Sequence, residues 1–260
     1  MKKAILFATH IPTPDKLFVG QESLDKFLES FNEYDIYIGI NNSCKEWIDM
    51  VEEYSKKLNI FFEITPEELL ETSGGAAYQT ALRLLKQKNI KYEIYWFGHT
   101  KGATSNAHDF RRQVFDKFWN HKELIEKEIL ENDISLYSPY IGETAPNYLN
   151  TTLPIFIDGK LNDDLASYYS FWVHSGEVVN KFIDNCNKDF FNKNLLSFKR
   201  LEVDKWGTHV DRYFFERDFP MIYQKLAKEP KLLYDTIYVS NSNTINNIQN
   251  NTNNKKIIFK

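Results

Sequence analysis

The stretch Tyr92–Gly102, YEIYWFGHTKG, joins an apolar, aromatic-rich run to an abruptly polar and cationic end, and two arginines follow at Arg111 and Arg112. The run reads as a buried strand. It stops at His99-Thr100-Lys101-Gly102. In open α/β sheets ligands bind in the crevice beyond the carboxyl ends of the strands. A lysine there offers a point charge to an anion, and a glycine lets backbone approach closely. A helix beginning near Asn106 would add a partly positive amino end and both arginines. The ligand that suits these residue types is a phosphate or diphosphate.

Two further segments concentrate polar residues among aromatics: Trp172–Glu177 (WVHSGE) and Glu202–Glu216 (EVDKWGTHVDRYFFE). His99, His174 and His209 lack HExxH or any other close ligand spacing, so each is expected to be a partly buried, hydrogen-bonded histidine, not a metal ligand. Ser175 sits in HSGE, which lacks the first glycine of a nucleophile elbow. Carboxylates matter more, because activating a hydroxyl for attack needs an Asp or Glu within hydrogen-bond reach. Glu177, Glu202, Asp204, Asp211 and Glu216 are the candidates by position. For Asp211 and Glu216, an ion pair with the intervening Arg212 is the structural alternative. The pair Asp163-Asp164 follows Gly159 and Lys160 and reads as a solvated loop.

The elements that would position these residues alternate. Strand patterns fall at Lys3–Thr9, Asp35–Asn41, Asn59–Ile64 and Tyr92–Phe97. Helix patterns lie between them, at Gln21–Phe31, Cys44–Leu58 and Ser73–Lys88. The second carries Trp47, Met50, Val51 and Tyr54 on one face. The third is entered through Thr72-Ser73-Gly74-Gly75, whose glycines would bring backbone N–H groups near a ligand. This alternation predicts a mostly parallel sheet with helices on both faces. A helix-rich block at Ala107–Asn132 follows, then strand-like Ile134–Tyr140 and Pro154–Asp158. Phe171–Asn185 reads as a strand that breaks at Ser175-Gly176 into a helix. A last amphipathic helix is expected over Val203–Lys228. The asparagine-rich end, residues 239–260, reads as a poorly ordered extension in which Ile257-Ile258-Phe259 could dock as an edge strand.

Composition narrows the function classes. A chain of 260 residues with 42% hydrophobic residues can bury a substantial core in one α/β domain. A net charge of −4 argues against non-specific nucleic-acid binding, which needs a basic face. Cys44 and Cys186 have no metal-ligand spacing and read as reduced thiols. No stretch approaches the ~20 apolar residues of a membrane span, and the apolar run of MKKAILFATH is too short for a signal segment. A cytoplasmic protein is expected.

The order of these features resembles nucleotide-sugar-dependent glycosyltransferases of the GT-A fold. It is most similar to a polysaccharide-associated branch with a His-(Ser/Thr)-Lys-Gly motif after the central strand and an arginine downstream. Here those residues are His99-Thr100-Lys101-Gly102, then Arg111 or Arg112. The resemblance continues at Phe171–Gly176, where such enzymes place a strand ending in Ser-Gly beside the acceptor. It ends at Asp211–Glu216, similar to the family's (R)Y-x-x-E helix. It spans roughly Lys3 to Pro220, and the order of the motifs is more specific than any one of them. The resemblance implies a GT-A-like, Rossmann-like α/β domain over residues 1–238. Its donor half would be about 1–102 and its acceptor half about 103–238.

The resemblance also implies roles. Thr9, His10 and Asn41, after the first strands, would hold the base and ribose. Gly74, Gly75, Tyr78 and Gln79 would lie near the sugar or ribose, and Thr100, Gly102, Arg111 and Arg112 would complete the donor site. Trp172, His174, Ser175, Gly176 and Tyr213 would shape the acceptor side. Lys101, with Arg111 or Arg112, would stabilise the departing diphosphate, and His99 with Ser175 would shape the crevice between donor and acceptor, with Asp211 or Glu216, then Glu177, as the base of an inverting reaction. One departure is informative. Most GT-A enzymes hold a divalent metal with Asp-x-Asp where this chain reads His-Thr-Lys. A protonated lysine cannot ligate a metal but neutralises a diphosphate directly. No cofactor is called for on this reading, and manganese or magnesium becomes dispensable. The partners are a nucleotide-sugar donor and a glycan or other hydroxyl acceptor. The alternative from a different class is a non-catalytic nucleotide- or glycan-binding domain, and a nucleotidyltransferase or phosphatase stands third.

Overall fold

The apolar runs KAILFAT, DIYIGI and IYWFGH become strands buried on both faces, as near-continuous hydrophobic strands of parallel sheets do. The computed structural model describes residues 2–69, 75–100, 108–143, 155–157, 160–162, 165–167, 171–186, 188–193, 201–203, 206–208, 226–228, 231–238, 246, 249–250 and 254–257. In chain order the elements are β1 (Lys3–Thr9), α1 (Leu17–Ser30), β2 (Asp35–Ile40), α2 (Lys45–Ser55), β3 (Ile60–Ile64), α3 (Gly75–Lys88), β4 (Ile94–His99), α4 (His108–Trp119) and α5 (Lys122–Glu131). Then come β5 (Leu136–Glu143), β6 (Ile155–Ile157), β7 (Lys160–Asn162), β8 (Leu165–Ser167), β9 (Trp172–Ser175) and α6 (Gly176–Asn185). The last are β10 (Leu201–Val203), β11 (Trp206–Thr208), β12 (Leu232–Tyr238) and β13 (Asn254–Lys256).

Nine strands form the main sheet in the order β13-β12-β5-β9-β4-β1-β2-β3, with β8 paired to β5. β1, β2, β3 and β4 pair in parallel, whereas β9 runs antiparallel between β4 and β5. The chain steps outward from β1 to β3, and α3 then carries it back to β4 on the other side of β1. That reversal between β1 and β4 is a topological switch point, where adjacent loops diverge and leave a crevice.

Alternation along β1 divides the core. Ala4, Leu6 and Ala8 join Ala77, Ala81, Leu82, Trp172 and Phe182 in one apolar layer. Ile5 and Phe7 join Phe27, Trp47, Trp96, Phe118 and Ile125 in the other. Helices therefore cover both faces of a mostly parallel, Rossmann-like α/β sheet, as the sequence predicts. α3 lies unusually close. A Cβ on Gly39 of β2 would meet the Ala77 carbonyl oxygen at 1.8 Å, so only a glycine lets this helix backbone seat on the strand.

Three expectations change. Where a helix was expected to begin at Val203, β10 and β11 form an antiparallel hairpin in which Val203 pairs with Trp206. Leu201, Val203, Trp206 and Thr208 are better suited to a pleated ribbon than to the first turn of a helix. Residues 209–225 of that expected helix lie outside the described residues. β12, LLYDTIY, had no counterpart in the sequence reading and pairs in parallel with β5. At the asparagine-rich end, β13 extends the sheet beside β12, and Ile257 is buried. The edge strand thus begins before the apolar triplet expected to form it.

Candidate functional site

The carboxyl ends of β4, β1 and β2 stand side by side, and their loops are joined by hydrogen bonds. Thr100 N–H donates to Ala8 O at 3.1 Å, and His10 N–H donates to the Thr100 hydroxyl at 2.9 Å. These two bonds bridge the switch point. On the other side of β1, Asn41 N–H donates to Thr9 O at 2.9 Å and Cys44 N–H to Ile11 O at 2.7 Å. Ile11 N–H reaches the Ser43 hydroxyl at 2.9 Å, and that hydroxyl donates to Asn41 O at 3.1 Å. The structure therefore brings together Thr9, His10, Asn41, His99 and Thr100.

The hydrogen bonds of His10 and Thr9 define the roles of their side chains. His10 Nδ1 lies 3.0 Å from Asn41 O, and a carbonyl only accepts, so Nδ1 carries a proton. In the neutral ring Nε2 is then the acceptor, on a half-buried side chain at the junction of three loops. Thr9 is buried, and its hydroxyl is used within the fold, donating to Gly39 O at 3.1 Å and accepting from Trp47 Nε1 at 3.0 Å. It can position a ligand through the backbone but has no spare hydroxyl hydrogen. The His99 ring ends β4, with its centroid 5.1 Å from Phe171 and 6.5 Å from Tyr78. The sequence does not single out Ser43, and it reads Trp47 only as part of an apolar helix face. Ser43 could have been found from NNSC, a cluster of loop-forming residues immediately before an amphipathic helix.

α3 enters the same edge of the sheet. Its buried Gly75 is the first helical residue; the Thr80 hydroxyl donates to Ala76 O at 2.8 Å and accepts from the Thr65 hydroxyl, 3.1 Å away. Thr65 N–H in turn donates to Ile40 O at 2.7 Å, which ties the helix to the carboxyl end of β2. Gln79 is fully buried, and its amide donates to the carbonyls of Phe190 and Lys193.

The residues expected on the acceptor side divide differently. Antiparallel pairing sets Phe97 opposite Trp172 and Ile94 opposite Ser175. Ser175, Gly176 and Glu177 therefore sit at the amino edge of β4, about 16 Å from His99 at ~3.3 Å per residue. A strand running parallel to β4 would have brought them to the crevice; this one carries them away. Glu177 is exposed there, out of hydrogen-bond reach of His99. Trp172 lies nearer the crevice but is wholly interior, stacked on Phe97 at 5.0 Å. His174 is also wholly buried, with Nδ1 3.0 Å from Ser135 O. Both are core side chains, as buried aromatics usually are. A cavity of about 610 Å³ opens at this amino edge, lined in part by Tyr92, Glu93, Ser175, Asn180 and Lys228, away from the loops that meet at Thr100.

Arg112 is exposed on α4. Gly74, Lys101, Gly102, Asp204, Asp211, Tyr213 and Glu216, with the side chain of Arg111, lie outside the described residues. Among the described residues, no three His, Cys, Asp or Glu side chains converge to hold a metal ion. No described helix is long and apolar enough to cross a membrane.

No protein-family model matches the chain, and no curated protein matches it in sequence. Among solved structures it is similar to residues 1–349 of TarS from S. aureus, at 14% identity and a TM-score of 0.36, over 69% of this chain and 48% of that one. The chain thus spans about half the length of that structure. It is also similar to a Bacillus anthracis protein assigned as a glucose-1-phosphate thymidylyltransferase, in complex with sucrose. That match has 7% identity and a TM-score of 0.37, over 74% of this chain and 78% of the other. Likenesses this low assign the chain no function.

Proposed function

We propose that the chain transfers a sugar from a nucleotide-diphosphate-sugar donor to a hydroxyl of a glycan or similar acceptor. The observation that carries this reading is the His10–Thr100 bridge at the switch point between β1 and β4. Open α/β sheets bind ligands at such a reversal, and the residues that follow Thr100 in sequence are Lys101 and Gly102. His10, Asn41 and the loop joined through Ser43 would hold the base and ribose. Thr9 would act through its backbone, and Gly74, Gly75 and Gln79 would lie toward the sugar.

Chemically, the acceptor oxygen forms a bond to the anomeric carbon while the bond from that carbon to the diphosphate breaks. The nucleoside diphosphate leaves with the electron pair. Lys101, with Arg111 or Arg112, would stabilise the charge that develops on it, as fixed cations do without reorganising. His99, at the end of β4, would line the crevice. In an inverting reaction the hydroxyl proton passes to a carboxylate, and Asp211 or Glu216 takes that role ahead of Glu177, which stands at the far edge. Tyr213 would serve the acceptor.

The test is calorimetric titration with UDP, GDP and CDP and the UDP- and GDP-sugars, with and without manganese, on the native chain and Lys101→Ala. Saturable, metal-independent binding of one nucleotide that weakens at least tenfold in the variant is expected, the scale of a charge-assisted hydrogen bond worth about 1.5–3 kcal/mol. Turnover should release a nucleoside diphosphate. Release of pyrophosphate would replace this reading with nucleotidyl transfer, and no binding of any nucleotide would refute it.

A further inference from the structure

β3 ends the main sheet, and among the described residues no strand lies beyond it. Ile36 N–H donates to Asn59 O at 2.9 Å, and Thr65 N–H donates to Ile40 O at 2.7 Å. Backbone groups of successive strand residues point to alternate edges, so Asn59, Phe61, Glu63 and Thr65 face β2. Ile60, Phe62 and Ile64 therefore present theirs outward. Ile60 N–H turns back to Leu58 O at 2.9 Å. The outer edge then offers the carbonyls of all three residues and the N–H groups of Phe62 and Ile64. Natural sheets blunt such an edge with bulges, proline or charged side chains. β3 keeps a regular register with β2, and its three outward positions are all apolar.

The residues around the strand select what covers it. Lys56 and Lys57 precede β3 and Glu67 and Glu68 follow it, all four exposed. Lys57 stands five residues before Phe62 and Glu67 five after, with Lys56 and Glu68 one position further out. A second copy laid antiparallel, Phe62 against Phe62, sets each cationic end against an anionic one. Laid parallel, it would set like charges together. The antiparallel register also lets Phe62 N–H donate to the partner's Phe62 O and Ile64 N–H donate to the partner's Ile60 O, and a two-fold axis makes each bond twice. Ile64, 55% exposed in the single chain, would gain the partner's Ile60 as its neighbour. On the α3 face, Glu63 would stand opposite the partner's Phe61, a residue whose ring lies 4.0 Å from Lys88 Nζ of its own chain. Centring the pair on Glu63 instead would set two carboxylates directly opposite each other, which is destabilising.

We propose that two copies of this chain pair through β3, antiparallel and with Phe62 on the two-fold axis, to form one continuous sheet. The strands of the two copies then run in opposite directions. Their crevices between β1 and β4 open at opposite edges of the joined sheet, and pairing blocks neither. The interface does not depend on which ligand those crevices take.

The test is sedimentation equilibrium of the native chain, with hydrogen exchange of its backbone amides followed by NMR across a dilution series. A mass of twice 30.8 kDa, or one rising toward it with concentration, is expected, with the Phe62 and Ile64 amides protected in the dimer. A chain that stays monomeric to millimolar concentration overturns the proposal. So does a dimer in which those two amides exchange as fast as in the monomer. Protection of both amides in a monomer would mean that a segment of the same chain covers the edge, and it overturns the proposal too. Lys56→Glu with Lys57→Glu, and Glu67→Lys with Glu68→Lys, each set like charges at both ends of the seam, so each double variant should self-associate about tenfold more weakly or worse. Mixed in equal amounts, the two double variants regain complementarity at both ends and should form a heterodimer. A mixture that associates no better than either variant alone refutes the antiparallel register. Circular dichroism checks that the variants fold, and should they not, the native-chain exchange measurement decides alone.

Discussion

Replacing Gly39 by alanine tests whether α3 is seated backbone-on-strand, the arrangement that brings its opening turn to the crevice. The added methyl would lie 1.8 Å from Ala77 O, 2.7 Å from Ala77 C and 3.1 Å from Ala77 Cα. All three are helix backbone, so no rotamer change relieves the clash. The helix must withdraw by more than an ångström. It is held by buried Ala76, Ala77, Ala81, Leu82 and Leu85, and by the Thr80–Thr65 bond. Overpacking commonly costs about 1–3 kcal/mol, and a backbone clash of this depth belongs at or above the upper end. At ~2–4 °C per kcal/mol for a domain of this size, Tm should fall by about 6–12 °C. The sign is diagnostic, because glycine inside a strand is itself unfavourable, and an unobstructed alanine would raise stability. Thermal unfolding followed by circular dichroism measures the shift, and titration at low temperature with whichever nucleotide the native chain binds measures the crevice. A Gly39→Ala protein that melts within about 2 °C of the native chain and binds that nucleotide equally well would refute the seating of α3.

Two further outcomes follow from buried titratable groups. Glu126 is 6% exposed beneath Lys3, Tyr34 and Trp96, and burial raises its carboxyl above the usual range although Lys3 Nζ, 2.6 Å away, opposes the shift. A raised folded-state value means the native chain binds the proton more readily than the unfolded chain, so stability is full below the ordinary carboxylate range and is lost as pH rises through the folded-state value. Glu126→Gln removes the ionisation; its Tm relative to the native chain should therefore drop on going from about pH 8 to about pH 5, and a rise would contradict the assignment. Burial also pushes the Cys186 thiol up to about 12, whereas Cys44 is only half-buried. Ellman's reagent should titrate one thiol in the folded protein and the second only in denaturant; two rapid equivalents would exclude a sealed Cys186.

Much of the crevice was legible because its strands announce their ends. β1 runs over Lys3–Thr9 as its apolar pattern predicts, and β2 ends at Ile40, one residue before the expected boundary. β4 begins and ends two residues later than expected, which draws His99 into the strand. In each case a buried run stops at polar residues, and parallel pairing aligns those stops at one edge. Strand direction was not legible. WVHS has the composition of a buried strand in either orientation, and only the partners seen in three dimensions show that β9 opposes β4 and β5. Ser175, Gly176 and Glu177 were placed at the wrong edge for that reason alone. β12 escaped notice because Asp235 interrupts a short apolar run; in the fold Lys117 of α4 pairs with that carboxylate.

The same antiparallel strand separates two features that often coincide. A well-formed concavity would ordinarily be the first place to seek a ligand, yet the cavity lined by Ser175 and Asn180 belongs to the amino edge. The loops that diverge at the switch point belong to the other. Two features favour the carboxyl edge. Asn180 is already engaged, donating to Tyr92 O at 2.9 Å and accepting from the Tyr95 hydroxyl, so its amide is structural. At the carboxyl edge, by contrast, the His10 tautomer leaves an acceptor at Nε2, and the sequence continues from Thr100 into a lysine and a glycine. Recognition depends on which polar atoms remain available more than on how much space surrounds them, and that criterion selects the edge bridged by His10 and Thr100.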